Sequence, residues 1–349
     1  MVRMMRFISS DNSWSAVELQ GEKAFNYASQ IAQGDLVWLD LCQQTPEDIL
    51  TLGQIFSFHP LALEDCLHFN QRPKLEEYLL PKPHAFIVVH NFAIHSMGST
   101  NKDLYPEQAL LYPYDEGFAI EPQEVHTFLG SSYLITIHDR PIESLDNLWS
   151  RLQKEPQLAS RGADFLHYML LDGICDSNFP VLDKLTDVLD TLEEHIITSP
   201  EKQDLRKIYQ LRKIFVLMRK TLSPQRDLLA LLARHGGNSY IQDKTALYYR
   251  DVYDHLVRTN EAIESSRDLL SNCVDTYLSA IGQKTNEVVK QLTILSSIML
   301  PLSFIAGFFG MNFDSLPFHS PLWFWFSMCC MFVLVPTGMM YLFYKKRWL

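Results

Sequence analysis

Two sets of residues have the types and spacing to handle ions in water. The first is Asn286, Val289, Thr293, Ser296, Leu300, Ser303 and Gly307, which recur at alternating steps of three and four and lie along one stripe of a helix. Hydroxyls, backbone carbonyls and an amide can hydrogen-bond to the water shell of a hard cation such as Mg²⁺, which dehydrates reluctantly. They would not hold it as tightly as a ring of carboxylates. The opposite face, Ile294, Ile298, Leu302 and Ile305, is apolar. Small and hydroxylated residues also line plain helix–helix contacts in membranes, so the stripe alone admits both readings. Repeated around a ring of copies, it would make a neutral tube with collars at Leu300. The stripe runs into Gly310-Met311-Asn312. Gly310 lets the backbone turn sharply, and the Asn312 amide oxygen can accept from ion-bound water.

The second set is acidic. Asp172, Asp176, Asp183, Asp187, Asp190 and Glu194 follow steps of 4, 7, 4, 3 and 4, one face of a helix between Asp164 and Thr198. After a turn at Ser199-Pro200, a segment from Glu201 to Leu222 carries Lys202, Arg206, Lys207, Arg212, Lys213, Arg219 and Lys220. Two readings stand side by side. One is solvated faces with pairing between the two helices; the other is an acidic surface that collects divalent cations.

Composition narrows the classes. A net charge of -11 and a pI near 5.5 argue against nucleic acid, whose phosphates need a basic face. No nucleophile elbow, phosphate loop or paired-acid signature is present, so the chain is not expected to be an enzyme. The histidines His84, His90, His95, His126, His138, His167, His195, His235 and His255 show no HxxH or HExxH spacing and receive no metal role. The six cysteines form no framework and fit a reducing compartment, and no apolar leader follows Met1.

The elements that must position these residues follow from hydropathy. From Gln291 to Tyr344 there is no Lys, Arg or Glu, and the only acid is Asp314. That is room for two membrane passes of about 20 residues each. The first is expected at 289–310 and the second at 321–344, with an outer loop at 311–320 and a basic tail at 345–349. The tail, Lys345-Lys346-Arg347-Trp348-Leu349, belongs on the cytoplasmic side, as do Lys284 and Lys290 before the first pass. Both termini are therefore expected inside, in a plasma or inner membrane.

The fold class expected is an α+β membrane protein with an N-terminal α/β cytosolic domain at 1–160. Leu36–Leu41, Ala85–Val89 and Tyr133–Ile137 read as strands, Thr45-Pro46 and His59-Pro60 open helices, and His95–Pro113 reads as a loop. A helical hairpin region follows at 161–240, with a break at 235–239. A long stalk helix then begins near Asp243, its cytosolic part spanning 241–288, and runs into the first pass. At 1.5 Å per residue it would be roughly 100 Å long, a length suited to a funnel-shaped oligomer.

Thr285-Asn286-Glu287-Val288, Met299–Gly307, Gly310-Met311-Asn312-Phe313 and the basic tail together resemble the CorA family of divalent-cation channels. The likeness extends back through Tyr249–His255 and His59-Pro60-Leu61 to Gln71-Arg72-Pro73-Lys74. It implies a homopentamer in the lipid membrane, the first pass of each chain lining the pore, and Gly310, Met311 and Asn312 forming the selectivity mouth. It also implies transport of Mg²⁺, with Co²⁺ or Ni²⁺ as further permeants, and regulatory cation sites between cytosolic domains. Matched by motif, those sites fall on Glu64, Asp65, Asp172 and Asp251. Two departures bear on selectivity. The family's usual Tyr before the triplet is Phe309, and its Met-Pro-Glu-Leu loop is here Leu316-Pro317-Phe318-His319, leaving Asp314 and His319 near the mouth. His319 is either a solvated loop histidine or part of an imidazole ring suited to Zn²⁺, Co²⁺ or Ni²⁺. A zinc transporter of the same superfamily and a non-conducting membrane cation sensor remain the alternatives.

Overall fold

Strands covered on both faces read in sequence as near-continuous apolar runs, and all three expected strands are observed: Leu36–Leu41 and Tyr133–Ile137 pair at the centre of the sheet, while Ala85–Val89 lies one strand in from its edge, beyond a further strand, Phe118–Leu129, not among those expected. The computed structural model describes all residues except 11–12, 30–34, 81, 97–109, 113–117, 235–239, 312–320, 330–332 and 347–349. Among the described residues the strands are β1 (Val2–Ser10), β2 (Ser13–Gln20), β3 (Leu36–Cys42), β4 (Lys74–Tyr78), β5 (His84–Ser96), β6 (Leu110–Tyr112), β7 (Phe118–Leu129) and β8 (Tyr133–His138). They form one mixed sheet in the order β2-β1-β3-β8-β7-β5-β4, with β6 paired to β7. The pair β3–β8 is parallel and its register sets Val37 against Tyr133 and Leu41 against Ile137.

Three helices pack on one face: α1 (Glu22–Ala28), α2 (Pro46–Phe56) and α3 (Pro60–Leu67). The Thr45 cap is as expected, with Thr45 and Asp48 exchanging side-chain and backbone bonds in a capping box ahead of Pro46. His59 caps α3 through its ring nitrogen. Val37, Leu39, Leu41, Ile135 and Ile137 meet Ile49, Leu52, Phe56 and Ala62 in this core. The alternate residues of β3 and β8 point to the other face, under α4 (Glu143–Lys154). There Trp38 packs on Trp149 with ring centroids 5.0 Å apart.

That second face carries a buried charge cluster. Asp40 accepts from Arg3 Nε at 2.8 Å and lies 3.0 Å from His138 Nε2, while Thr136 donates to the same carboxylate. Arg3 also reaches Asp146 on α4 and stacks over the Trp149 ring. Burial alone would lower the pKa of His138; the Asp40 carboxylate overrides it and lifts it to about 10.

The helical part departs from expectation in three places. The expected single helix from Asp164 to Thr198 is two, α5 (Ala163–Asp176) and α6 (Asn178–Thr198). Pro180 has no N–H to give the Asp176 carbonyl, and Ser177 and Asn178 turn their side chains onto the Ile174 carbonyl. The basic helix does not stop at Leu222 but continues as α7 (Lys202–Arg234) through Pro224. Asn260 donates to the Leu222 carbonyl near that proline, and apolar positions persist to Leu232. The loop expected at His95–Pro113 is shorter than drawn, because β5 runs to Ser96 against Phe118 and β6 occupies Leu110–Tyr112. The expected break at 235–239 lies outside the described residues.

Helix α8 (Asp243–Phe309) is a single helix of 67 residues with Pro301 inside it. Among the described residues it is the one helix long and apolar enough to cross a membrane. The segment expected as the second pass contains α9 (Pro321–Cys329) and α10 (Val335–Lys345). The chain divides into two compact units, one of Met1–His195 with Glu201–Cys273, the other of Ile196–Pro200 with Val274–Leu349.

The charge cluster generates a test of stability. The folded-state pKa of His138 stands above its usual 6.5, so its contribution is complete below about pH 6.5 and is lost as the pH climbs through about 10. Thermal unfolding of the detergent-solubilised chain should show the wild type losing more between about pH 8 and 10.5 than His138→Gln does. Asp40→Asn, which leaves the buried His138 without its carboxylate and Arg3 with Asp146 alone, should cost about 3–5 kcal/mol at neutral pH. Equal pH profiles for wild type and His138→Gln would contradict this.

Candidate functional site

The acidic residues come together where α5 crosses α8, and buried polar bonds hold the crossing. Gly162 precedes α5 at φ +106°, where a Cβ would lie 2.8 Å from the Asp164 carboxylate, so glycine is required there. Asp164 in turn accepts from the backbone N–H of Gln242 at 2.9 Å, fixing the approach to α8. One turn and a half along α8, Tyr249 is fully buried; its hydroxyl donates to the Asp164 carbonyl at 3.0 Å and lies 2.8 Å from His167 Nδ1. Burial pushes His167 down to about 3, so the ring is neutral and the network is structural.

Around this anchor stand two pairs at i, i+4: Asp172 and Asp176 on α5, Asp251 and His255 on α8. Asp172, Asp176 and His255 each offer a ligand atom within 4.8 Å of the others. His255 Nδ1 is 3.3 Å from Asp176 Oδ1 and is satisfied by no hydrogen bond. Burial first, then the Asp176 and Asp251 carboxylates, raise the Asp172 carboxyl above its usual range, while His255 and Arg151 pull it down. Burial and the same acids push the Tyr168 hydroxyl up to about 12. Asp251 is exposed and forms no ion pair among the described residues. Burial and the neighbouring carboxylates thus disfavour the ionised form of Asp172 relative to a free carboxylate.

Glu64 and Asp65 are not part of that group within one chain. Both lie on α3, where Glu64 is exposed and Asp65 is held by Lys74 at 2.5 Å, with Lys74 also 2.9 Å from Glu76. Of the acids on α6, Asp183, Asp187 and Asp190 are exposed and form no ion pair among the described residues, so pairing with α7 is not what occupies them. His255 is the residue that sequence reasoning missed. Its signal was the i, i+4 spacing from Asp251, which a search for HxxH patterns passes over.

On α8 beyond Val274 the stripe Asn286, Val289, Thr293, Ser296, Leu300, Ser303 and Gly307 is exposed throughout. Ile294, Ile298, Leu302 and Ile305, on the other side, are half-buried. Thr293 donates its hydroxyl to the Val289 carbonyl at 2.7 Å, which leaves its oxygen lone pairs free to accept. Gly310 closes the helix with its N–H on the Ala306 carbonyl at 2.9 Å, and a Cβ there would approach that carbonyl to 3.2 Å. Met311 follows and is 58% exposed. Asn312, Asp314 and His319 lie outside the described residues.

A family model described as "CorA-like Mg2+ transporter protein" matches residues 33–346. The chain is 32% identical over 314 residues to the cobalt/magnesium transport protein CorA of Thermotoga maritima, covering 89% of this chain and 83% of that one. In fold it is similar to the complete CorA magnesium transporter of Methanocaldococcus jannaschii, with a TM-score of 0.74, 22% identity and 99% and 98% of the two chains covered. It is also similar to the full-length CmaX protein, with a TM-score of 0.70 at 20% identity over 99% and 97%. With the family model spanning most of the chain and a transporter at 32% identity, the chain is a transporter rather than an enzyme and belongs to the CorA-like Mg²⁺ transporter family.

Proposed function

We propose that the chain is a homopentameric channel that admits Mg²⁺, with Co²⁺ and Ni²⁺ as minor permeants, and that cytosolic divalent ions close it. The observation that carries this is the exposed hydroxyl stripe of α8 leading without a break to Gly310-Met311. A neutral face of this kind, repeated around a fivefold axis, passes an ion that keeps its water shell. Asn312, next in sequence, supplies an amide ring at the mouth. The membrane potential drives entry, since a divalent ion gains about 4–5 kcal/mol per 100 mV on moving inward.

Regulation rests on Glu64, Asp65, Asp172 and Asp251. In a ring, Glu64 and Asp65 of one protomer meet Asp172 and Asp251 of its neighbour, with Asp65 exchanging Lys74 for the shared ion. Carboxylates meeting across an interface repel until a divalent ion neutralises them, so ion binding favours the closed ring and ion loss releases it. Because α8 carries both Asp251 and the pore stripe, loosening at the acids reaches the pore through one helix. Both termini lie in the cytoplasm by the basic residues that flank the passes.

Two outcomes are expected. In proteoliposomes loaded with a Mg²⁺ dye, the wild type should take up Mg²⁺ and Asn312→Ala should lose that uptake; uptake by neither would favour a non-conducting sensor, and Zn²⁺ uptake alone would favour a zinc transporter. Asp172→Asn removes a destabilised carboxylate, so in chelator it should melt at or above the wild-type temperature. In millimolar Mg²⁺ it should gain less than the wild type does. A larger Mg²⁺ gain in the variant would contradict a role for Asp172 in ion binding.

A further inference from the structure

Between α3, which carries Glu64 and Asp65, and β4 the chain makes a short loop that is tied at two points. Its base is closed by Lys74, which holds Asp65 at 2.5 Å. Its tip is held by Glu124 of β7: the carboxylate accepts from the Asn70 N–H at 2.7 Å, and its two oxygens share the Gln71 N–H at 3.0 and 3.1 Å. We propose that Glu124 is a positioning residue for the cytosolic control, holding the Asn70–Gln71 backbone in a conformation that Asn70 disfavours and so fixing where α3 presents Glu64 and Asp65. The control is the one proposed above; the hold itself rests on geometry.

Asn70 stands at φ +124°, an angle that side chains rarely adopt. Gln43 and Ser57, the other non-glycine residues at positive φ among those described, lie at +54° and +58°, inside the left-handed well that Asn70 misses. A residue stays in such a conformation only where its surroundings over-determine it. Here they do. Glu124 is buried, with His126 Nε2 2.5 Å from one carboxylate oxygen and His90 Nε2 3.6 Å from the other. Burial alone would raise the Glu124 pKa; the two imidazoles outweigh it and bring it down to about 2, so the acceptor is charged at neutral pH. The His90 N–H is bonded in turn to the buried Gln225 of α7 at 2.8 Å, and Phe69 of the loop stacks on the His126 ring at 4.9 Å between centroids. A cavity of about 330 Å³ is lined by the loop and by Leu217, Lys220 and Thr221 of α7, so a released loop has room to move. When Asp65 gives up Lys74 for a shared ion, the base of the loop opens. Glu124 is then the tie that keeps the end of α3 in place.

Glu124→Gln keeps the size of the side chain but turns one acceptor oxygen into a donor facing N–H groups. In the full-length protein it should speed hydrogen exchange at the Asn70 and Gln71 amides by about tenfold or more. In planar bilayers, the Mg²⁺ needed on the side of the N-terminal domain to halve the current should rise by about tenfold or more. Glycine adopts positive φ without strain, so Asn70→Gly alone should shift that requirement by less than about twofold. Added to Glu124→Gln, it should bring the requirement back to within about threefold of the wild type, a rescue that a general loss of packing at β7 would not show. Exchange unchanged in Glu124→Gln, a Mg²⁺ requirement unchanged while exchange quickens, or a double variant no better than Glu124→Gln would overturn the positioning role. A wild-type current indifferent to that Mg²⁺ would instead remove the control itself and the positioning role with it, while the exchange result would still decide whether Glu124 holds the loop.

Discussion

Asp172, Asp176 and Asp251 are like charges that the fold holds close together at one helix crossing. Nothing in the backbone lets them separate: Gly162 fixes the start of α5, Asp164 reaches the N–H at the entry to α8, and Tyr249 pins the two helices from the inside. The half-buried Asp172 carboxyl is held above its usual range because water cannot fully solvate it beside its neighbours. Under the proposed function, that repulsion is what a divalent cation would relieve.

The second constraint is the continuity of α8. A helix that satisfies its own backbone can pass from water into lipid, and 67 residues without interruption are enough for both environments. Its surface changes character along its length. Around Asp251 and His255 it carries titratable side chains, while from Asn286 onward it carries an exposed face of hydroxyls and small residues backed by half-buried isoleucine and leucine. Pro301 is accommodated within the helix, as prolines often are in membrane segments.

Much of this was legible in the residues. The strands centred on Trp38, Val88 and Ile135 announced themselves as apolar runs, because both faces of the sheet are covered. The Thr45 cap, the helix opening at His59-Pro60 and the start of α8 were read from the sequence, and the structure adds that the His59 ring itself caps its helix. The hairpin of β1 and β2 was not seen, since Arg3, Arg6, Glu18 and Gln20 interrupt its pattern and its register comes from pairing with β3. The break between α5 and α6 was missed because the acidic periodicity passes through it, although Pro180 marked it. At the site, Asp172 and Asp176 were named on the acidic helix face, and Asp172 and Asp251 by family resemblance. The geometry adds His255, which only the crossing of two helices brings beside Asp172 and Asp176.

The most direct test of the account is inward current through the reconstituted protein in a planar bilayer, with Mg²⁺ on the side opposite the N-terminal domain and the free Mg²⁺ on the side of that domain varied. For the wild type, raising cytosolic Mg²⁺ from micromolar to millimolar should suppress the current, and the double variant Asp172→Asn, Asp251→Asn should stay conducting across that range. A current indifferent to cytosolic Mg²⁺ in the wild type, or one still suppressed in the double variant, would contradict control by the α5–α8 carboxylates.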